Sequence, residues 1–579
     1  MCGIFAFLNK SLLENKSNLI HAIESGKPRG PEQTHQIELS SDMLLAFHRL
    51  AINGINTTNS MQPLNIEDCI LICNGEIFNF KQLHDITGIP LQSGSDCEII
   101  IHLYLKYGIR RTLQMLDGEF AFVLYDCNVS RCPDGDMVYV ARDPFGIRPL
   151  YIGMGRNEET VIASELKNIS PFLDDTWNVR QVQPGSVSIF QKSTNALSRW
   201  KRTAIEDRYY SIPISVNSME KAEDVNMLHL CQGLVDVLCK SVEKRVCGTL
   251  ERPLACLLSG GLDSSLIAAL TSKIYTGKLH TYSIGMSGSK DLMYAKMVAK
   301  HIDSVHHEVI LTPDEFFDAI PEVISKIESF DTTTVRASVG NYLIGKYIKD
   351  HSDQKVVLNG DGSDELTGGY IYMNHVPDSI EFDVECRRLL EHIHYFDVLR
   401  SDRSISTNGL EPRTPFLDTS VVSYYMSLPA ELRNPKSIFN LENTRWDVLA
   451  DSLRDHNISN IIRSRPEKLL LRYAFYICMP NLLPNDILWR SKEAFSDGVS
   501  GDDGAWFKII SNKLNDISLT PHEETITHML PTSKEQLYYR SLFDGLYPYG
   551  NTTIPHFWMP KYIHASDPSA RLMDDYTER

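Results

Sequence analysis

The chain has no surplus of positive charge: 57 Lys and Arg stand against 74 Asp and Glu, a formal net charge of −17. A surface of that sign repels phosphate backbones and anionic lipid, which sets aside nucleic acid and membrane surfaces as partners. No apolar run approaches the ~20 residues that a membrane-spanning helix requires. The apolar residues 2–8 have no basic segment before them and no cleavage site after them, so they do not make a signal peptide. The expectation is a soluble, cytoplasmic protein. No two of the 12 cysteines are spaced CxxC. They sit in apolar runs such as 70–73 and 254–258, where Cys acts as a small hydrophobe. This favours a reducing compartment and argues against structural zinc. Internal repeats and low-complexity tracts are missing as well.

What is present is an ordinary globular composition, 42% hydrophobic and 23% charged, spread over 579 residues. That length is too great for one core. The first ~200 residues carry short apolar runs broken by turn residues, at 43–48, 70–73, 120–125, 137–141, 160–163 and 187–190. This spacing predicts an antiparallel, β-rich α+β unit with helices over 12–24 and 97–107. Asn74-Gly75 reads as a turn, and 127–136 as a surface loop. Residues 202–224 are polar without periodicity, which suits a linker. The expected division is 2–205, a linker over 206–224, and 225–579.

Beyond the linker the pattern alternates: helix 228–246, strand 253–258, helix 264–271, strand 279–286, helix 291–302, strand 306–311 and strand 356–358. Such alternation predicts an α/β unit with a parallel sheet and crossover helices. The rest is expected to be mainly helical, with a frayed polar end.

Three clusters carry chemistry. Cys2 follows the initiator Met; if Met1 is clipped, the thiol becomes N-terminal and its own α-amine, with a pKa near ~7.7 to 8.0, can act as local base. Alone, Cys2 is an incidental buried cysteine. Downstream, however, lie His48-Arg49-Leu50-Ala51-Ile52-Asn53, Asn74-Gly75-Glu76 and Ser95-Asp96-Cys97-Glu98. The second cluster, Ser259-Gly260-Gly261-Leu262-Asp263-Ser264-Ser265, follows a buried strand and opens a helix. Its N–H groups and hydroxyls can cradle an anion there, and it lacks the Lys-Ser/Thr pair of a Walker A loop. The third, Asn359-Gly360-Asp361-Gly362-Ser363-Asp364-Glu365, follows a short strand. It reads either as a solvated acidic turn or as a ligand site at a strand's carboxyl end, and its register does not match an EF-hand.

Met1-Cys2-Gly3-Ile4, Arg29-Gly30-Pro31, Arg49-Leu50, Asn74-Gly75-Glu76 and the string 143–151 resemble the class II glutamine amidotransferases. The Ser259–Ser265 loop resembles that of the ATP pyrophosphatases. With Thr333-Thr334-Val335-Arg336, the string 409–418, Lys492-Glu493-Ala494-Phe495-Ser496-Asp497-Gly498-Val499 and Asp567-Pro568-Ser569-Ala570-Arg571, the chain resembles the glutamine-hydrolysing asparagine synthetases along nearly its whole length.

The resemblance implies an αββα Ntn-hydrolase sandwich followed by an ATP pyrophosphatase-like (adenine nucleotide alpha hydrolase-like) domain with a helical C-terminal part. It implies Cys2 as nucleophile and Asn74 and Gly75 as oxyanion donors, each worth ~3 kcal/mol. L-Glutamine would lie among Arg49, Leu50, Ile52, Asn53, Glu76 and Asp96. ATP and its pyrophosphate would lie on Leu258, Ser259, Gly260, Gly261, Asp263, Ser264, Ile284, Asn359 and Gly360. L-Aspartate or its adenylate would meet Thr333, Thr334, Arg336 and Asp364. Asp361 would assist catalysis, and Lys492 would neutralise phosphate charge. Mg2+ would sit on Asp263 and Asp364. An internal passage for ammonia and a homodimer follow from the family alone.

Two departures stand out. The family carries Ser-Gly-Glu-Gly-Ser-Asp-Glu where this chain has 359–365, so Asp361 is one methylene short, and a misplacement on the order of 1 Å can cost ~100-fold in rate. Glu32 replaces the usual Asp after Pro31, with little expected consequence. The alternatives are a β-lactam synthetase-like ligase, which needs no glutaminase, and a non-catalytic scaffold.

Overall fold

The computed structural model describes residues 1–569 except 10, 56, 57, 91, 194–198, 214–225, 249–250, 437–448, 452, 454, 494, 503, 519–525 and 566. Among the described residues the N-terminal strands are β1 Gly3–Leu8, β2 Gln33–Ser40, β3 Met43–Arg49, β4 Leu64–Ile66, β5 Cys69–Ile77, β6 Gly118–Asp126, β7 Met137–Arg142, β8 Tyr151–Met154, β9 Thr160–Ala163, β10 Asn178–Gln181, β11 Ser186–Lys192 and β12 Trp200–Arg208. They form two antiparallel six-stranded sheets, ordered β10-β8-β9-β1-β3-β2 and β12-β11-β7-β6-β5-β4.

Period-2 alternation explains the stacking, because successive side chains point to opposite faces. Along β1, Ile4, Ala6 and Leu8 join Ile70, Ile72, Val123 and Val140 in the space between the sheets. Phe5 and Phe7 point the other way, onto Leu19, Ala22 and Ile23 of the helix Lys16–Gly26. On the second sheet Leu71, Phe122 and Leu124 pack outward against Ile99, Ile100 and Leu103 of the helix Glu98–Met115. The layers are therefore helix, sheet, sheet, helix, as expected of the αββα sandwich.

The C-terminal part is built on β13 Leu254–Leu257, β14 His280–Gly285, β15 Val305–Ile310, β16 Val356–Leu358 and β17 Glu411–Arg413. They make an all-parallel sheet in the order β15-β14-β13-β16-β17. Both faces of the central strands are covered, with Leu254, Cys256, Val356 and Leu358 in one core and Ala255 and Val357 in another, which is why β13 and β16 read as unbroken apolar runs. Chain order reverses beside β13, whose neighbours are β14 and β16. The loops leaving β13 and β16 thus open onto one crevice, where open α/β sheets bind ligands.

Several expectations are corrected. Asn74-Gly75 is not a turn but lies within β5, paired with Ala121 and Phe120. Gly75 is demanded by close approach, since a Cβ would stand 2.3 Å from the Glu119 carbonyl oxygen. The linker begins later than expected, because β12 runs through Arg208 by pairing with β11; residues 214–224 of it lie outside the described residues, as does the polar end beyond 569. The helix expected over 97–107 continues to Met115 through a kink at Gly108, φ 75°. Strand β17 went unforeseen because three residues, one of them Pro412, make no apolar run.

The two halves meet through buried ion pairs. Arg29 holds Asp402 at 2.7 Å, Arg403 reaches Glu165 at 3.4 Å, and Arg245 lies between Glu119 at 2.9 Å and Asp418 at 2.7 Å. No described helix is long and apolar enough to cross a membrane.

Candidate active site

Cys2 precedes β1 and shares its inter-sheet face, and it lines a pocket beside that core. That pocket is lined by Arg49, Leu50, Ile52, Asn53, Gly75, Glu76 and Asp96, together with Cys73, Cys97 and Glu411. Asn74 has the same strand parity as Ile70 and Ile72, which puts its amide on the face that Cys2 shares. Both amide atoms are buried and unpartnered, an expensive arrangement unless a ligand completes it.

Around the pocket the charges are arranged for an amino acid. Arg49 directs Nη2 to the Gly54 carbonyl at 2.9 Å and Ser60 Oγ at 2.7 Å, both neutral acceptors. Asp96 accepts from the Ile77 N–H at 2.7 Å, and burial pushes its carboxyl up to about 6. Burial and the neighbouring Asp96 push Glu76 well above the carboxylate range, against the pull of Arg413 at 3.3 Å. With Met1 in place, burial raises the Cys2 thiol to about 11 and lowers the Met1 amine to about 6. The Met1 amine faces the Leu410 carbonyl at 3.5 Å.

The second cavity occupies the crevice at the ends of β13 and β16. Its walls include Leu258, Ser259, Gly261, Asp263, Ser264, Ile284, Thr333, Thr334, Asn359, Gly360, Asp361, Asp364 and Lys492. The Ser259–Ser264 loop opens the helix Leu262–Ile274 and so lines the cavity at the positive end of the helix dipole, with the Ser259 N–H donating to Ser264 Oγ at 3.2 Å. Gly260 takes φ 75°, and a Cβ there would lie 2.4 Å from the Ala295 nitrogen. Ser259 Oγ and Ser264 Oγ are 3.0 Å apart.

Sequence reasoning missed Lys468. This buried lysine bridges Asp263 at 2.5 Å and Asp364 at 2.7 Å. Lys492 contacts the other oxygen of Asp364. Burial would raise the Asp364 carboxyl, but the two ammonium groups hold it well below the usual carboxylate range. Burial would lower Lys492, but Asp364 and Asp263 keep it raised. Lys468 stands alone before an apolar helix, Leu469–Cys478, and carried no motif by which to find it. Tyr370, which closes the string that follows Glu365, also lines the cavity, and so do Arg400 and Asp397, which carried no sequence signal.

Arg336 is not brought to the cavity. Its guanidinium is taken up by Glu535 at 2.8 and 2.7 Å and by Asp567 at 2.8 and 2.7 Å, so a forked donor expected for aspartate is instead spent on tying its helix to the C-terminal segment. Ala494, Ala570 and Arg571 of the quoted strings lie outside the described residues. Glu32, expected to matter little, accepts from the Ala51 N–H at 2.7 Å and pairs with Arg252 of the other half at 2.6 Å.

For Mg2+ the donor set fits in kind. Among the described residues no group of three or more His, Cys, Asp or Glu could hold a metal. Mg2+ is commonly held by only one or two carboxylates plus phosphate oxygens and water, and Asp263 and Asp364, joined through Lys468, offer such a pair.

The chain matches two family models: a glutamine amidotransferase domain over 1–200 and asparagine synthase over 233–381 and 373–555. It is 36% identical to glutamine-hydrolysing asparagine synthetases of Gallus gallus, over 607 aligned residues, and of Mus musculus and Homo sapiens, over 601 and 605. Each match covers 100% of this chain and 99% of the relative. With both family models in order and full-length identity at this level, the chain belongs to the glutamine-hydrolysing asparagine synthetases.

Proposed function

We propose that the chain makes L-asparagine from L-aspartate, ATP and L-glutamine, with an N-terminal glutaminase unit that ends after β12 and a synthetase unit over 225–579. The observation that carries this is the pairing of two cavities in one chain. One is lined by the Cys2 thiol, the Arg49 guanidinium and the carboxylates of Glu76, Asp96 and Glu411, the other by an anion-cradling loop, lysines and carboxylates.

In the first, Arg49 clamps the glutamine α-carboxylate, while Glu76 and Asp96 receive its ammonium. After removal of Met1, the Cys2 thiolate attacks the side-chain carbonyl. Asn74 Nδ2 and the Gly75 N–H take the oxyanion, collapse of the tetrahedral adduct to the thioester expels ammonia, and hydrolysis of the thioester releases glutamate. In the second, the Ser259–Ser264 loop with Asn359 and Gly360 holds the pyrophosphate end of ATP, with Leu258 and Ile284 beside adenine and ribose. Aspartate sits against Thr333, Thr334 and Asp364, and its β-carboxylate attacks the α-phosphorus to give β-aspartyl-AMP and pyrophosphate. Lys492 and Lys468 meet the charge that develops on the phosphates. Ammonia then displaces AMP, with Asp361 assisting. Asp263 and Asp364 would hold Mg2+, which would supply charge neutralisation on the phosphates. A reducing, cytoplasmic setting is supported by 12 free cysteines.

The test is incubation with ATP, magnesium, aspartate and glutamine, with asparagine and AMP as expected products. AMP formed only with another carboxylate points to a β-lactam synthetase-like ligase, and no AMP at all to a scaffold.

A further inference from the structure

We propose that Glu251 and Arg252, in the segment between the helix Met227–Cys247 and β13, are positioning residues for glutamine: they hold the loop 50–55 of the N-terminal unit from the synthetase side. The proposal rests on the reading of the Cys2 pocket as a glutamine site. Glu251 accepts from two successive backbone N–H groups, Gly54 at 3.1 Å and Ile55 at 2.9 Å, one on each carboxylate oxygen. Arg252 donates Nε to the Ala51 carbonyl at 2.8 Å and Nη2 to Glu32 at 2.6 Å. Glu32 closes this grip by accepting from the Ala51 N–H at 2.7 Å. Two adjacent side chains of the synthetase unit therefore hold the loop near both ends.

The residues between the grips are pocket residues: Ala51, Ile52 and Asn53 all line it. Residues 50–55 form neither helix nor strand, so their shape is set by side-chain bonds rather than by a backbone ladder. The grip also reaches the carboxylate clamp. Gly54 is held on its N–H by Glu251, while its carbonyl accepts from Arg49 Nη2 at 2.9 Å and from Ser60 Oγ at 2.7 Å. With φ 65°, and with a Cβ position 2.9 Å from the Gly94 carbonyl oxygen, a side chain at position 54 would be strained. Carboxylate bonds to paired N–H groups are charge-assisted and directional, so Glu251 fixes the peptide whose oxygen orients Arg49. Release of the loop would leave the thiol chemistry in place and misaim the guanidinium.

Steady-state kinetics on the full chain test this with Glu251→Ala, Glu251→Gln and Arg252→Ala. The glutamine KM is expected to rise about tenfold in Glu251→Ala and less in Glu251→Gln, which keeps one acceptor oxygen, with glutaminase kcat within about twofold. Asparagine synthesis from free ammonia, which bypasses this pocket, is expected to hold its rate. Should Glu251→Ala fail to fold, Glu32→Gln reads the same grip from the other side, and its KM is expected to rise two- to threefold, on the order of one weakened ion pair. An unmoved KM overturns the proposal, and so does a loss shared equally by kcat and ammonia-dependent synthesis. If the unaltered chain hydrolyses no glutamine, the pocket's reading falls and the proposal with it. If it does so and the variants keep its KM, the proposal alone falls.

Discussion

Asn359 donates its side-chain amide to Asp361 Oδ2 at 2.7 Å, and the same nitrogen meets Ser401 Oγ at 2.7 Å. Arg400 reaches the other Asp361 oxygen at 3.2 Å. The shortened carboxylate is thus fixed at both oxygens on the cavity wall. Asp361→Asn would replace an acceptor with an amide aimed at two donors. The expected outcome is loss of asparagine formation with glutamine hydrolysis retained, read as asparagine and glutamate in one assay. Unaltered synthesis would remove Asp361 from the mechanism.

Cys2 and the Ser259–Ser264 loop line separate cavities, so their losses should separate as well. Cys2→Ala is expected to lower glutamine-dependent synthesis on the order of a thousandfold or more while ammonia-dependent synthesis survives. A parallel fall in both activities would sink the assignment of two sites.

Much of this was legible because the chemistry is local in sequence. The loop 259–264 and the string 359–364 each follow an apolar strand, and strand ends in an α/β sheet are where ligands gather. The short apolar runs at 43–48 and 120–125 likewise announced antiparallel strands, while the sandwich followed from the family resemblance. What escaped depends on contacts distant in the chain. Lys468 joins Asp263 across 205 residues, and Glu251 reaches Gly54 across 197. Neither lysine nor glutamate differs locally from a solvated surface residue. Arg336 failed in the opposite sense: a plausible string gave it a ligand role, yet Glu535 and Asp567 had already claimed its fork. Asn74-Gly75 misled because a turn dipeptide also serves where a strand needs an unpartnered amide beside a close backbone approach.

The Asp96 carboxyl should make glutamine binding depend on pH. Burial raises it from its ordinary 3.8 to about 6, so across that window the folded chain keeps a proton that the unfolded chain has lost. Ionisation of this group therefore weakens the ligand-free fold as pH rises from about 4 to about 6. The same ionisation creates the acceptor that a substrate ammonium needs. The glutamine KM is expected to fall as pH rises through about 6, and Asp96→Asn is expected to show a high KM with that step flattened. A wild-type profile without the step would separate Asp96 from the ammonium.

Lys468 carries the most demanding prediction, because its ammonium lies between Asp263 and Asp364 with its side chain 1% exposed. Removing one partner from a buried ion cluster leaves uncompensated charge, at a cost of about 3–5 kcal/mol. Lys468→Met keeps the aliphatic stem and deletes the charge, so chemical denaturation should report that loss without a cavity. Asp263 would then face the phosphates without a cation and Asp364 would keep only Lys492, and AMP release is expected to fall on the order of a hundredfold or more. Glutamine hydrolysis should continue, since no wall of the Cys2 pocket includes Lys468. If Lys468→Met is destabilised yet releases AMP at the original rate, the lysine serves the fold alone, and charge on the departing pyrophosphate is met by Lys492 and the helix N-terminus.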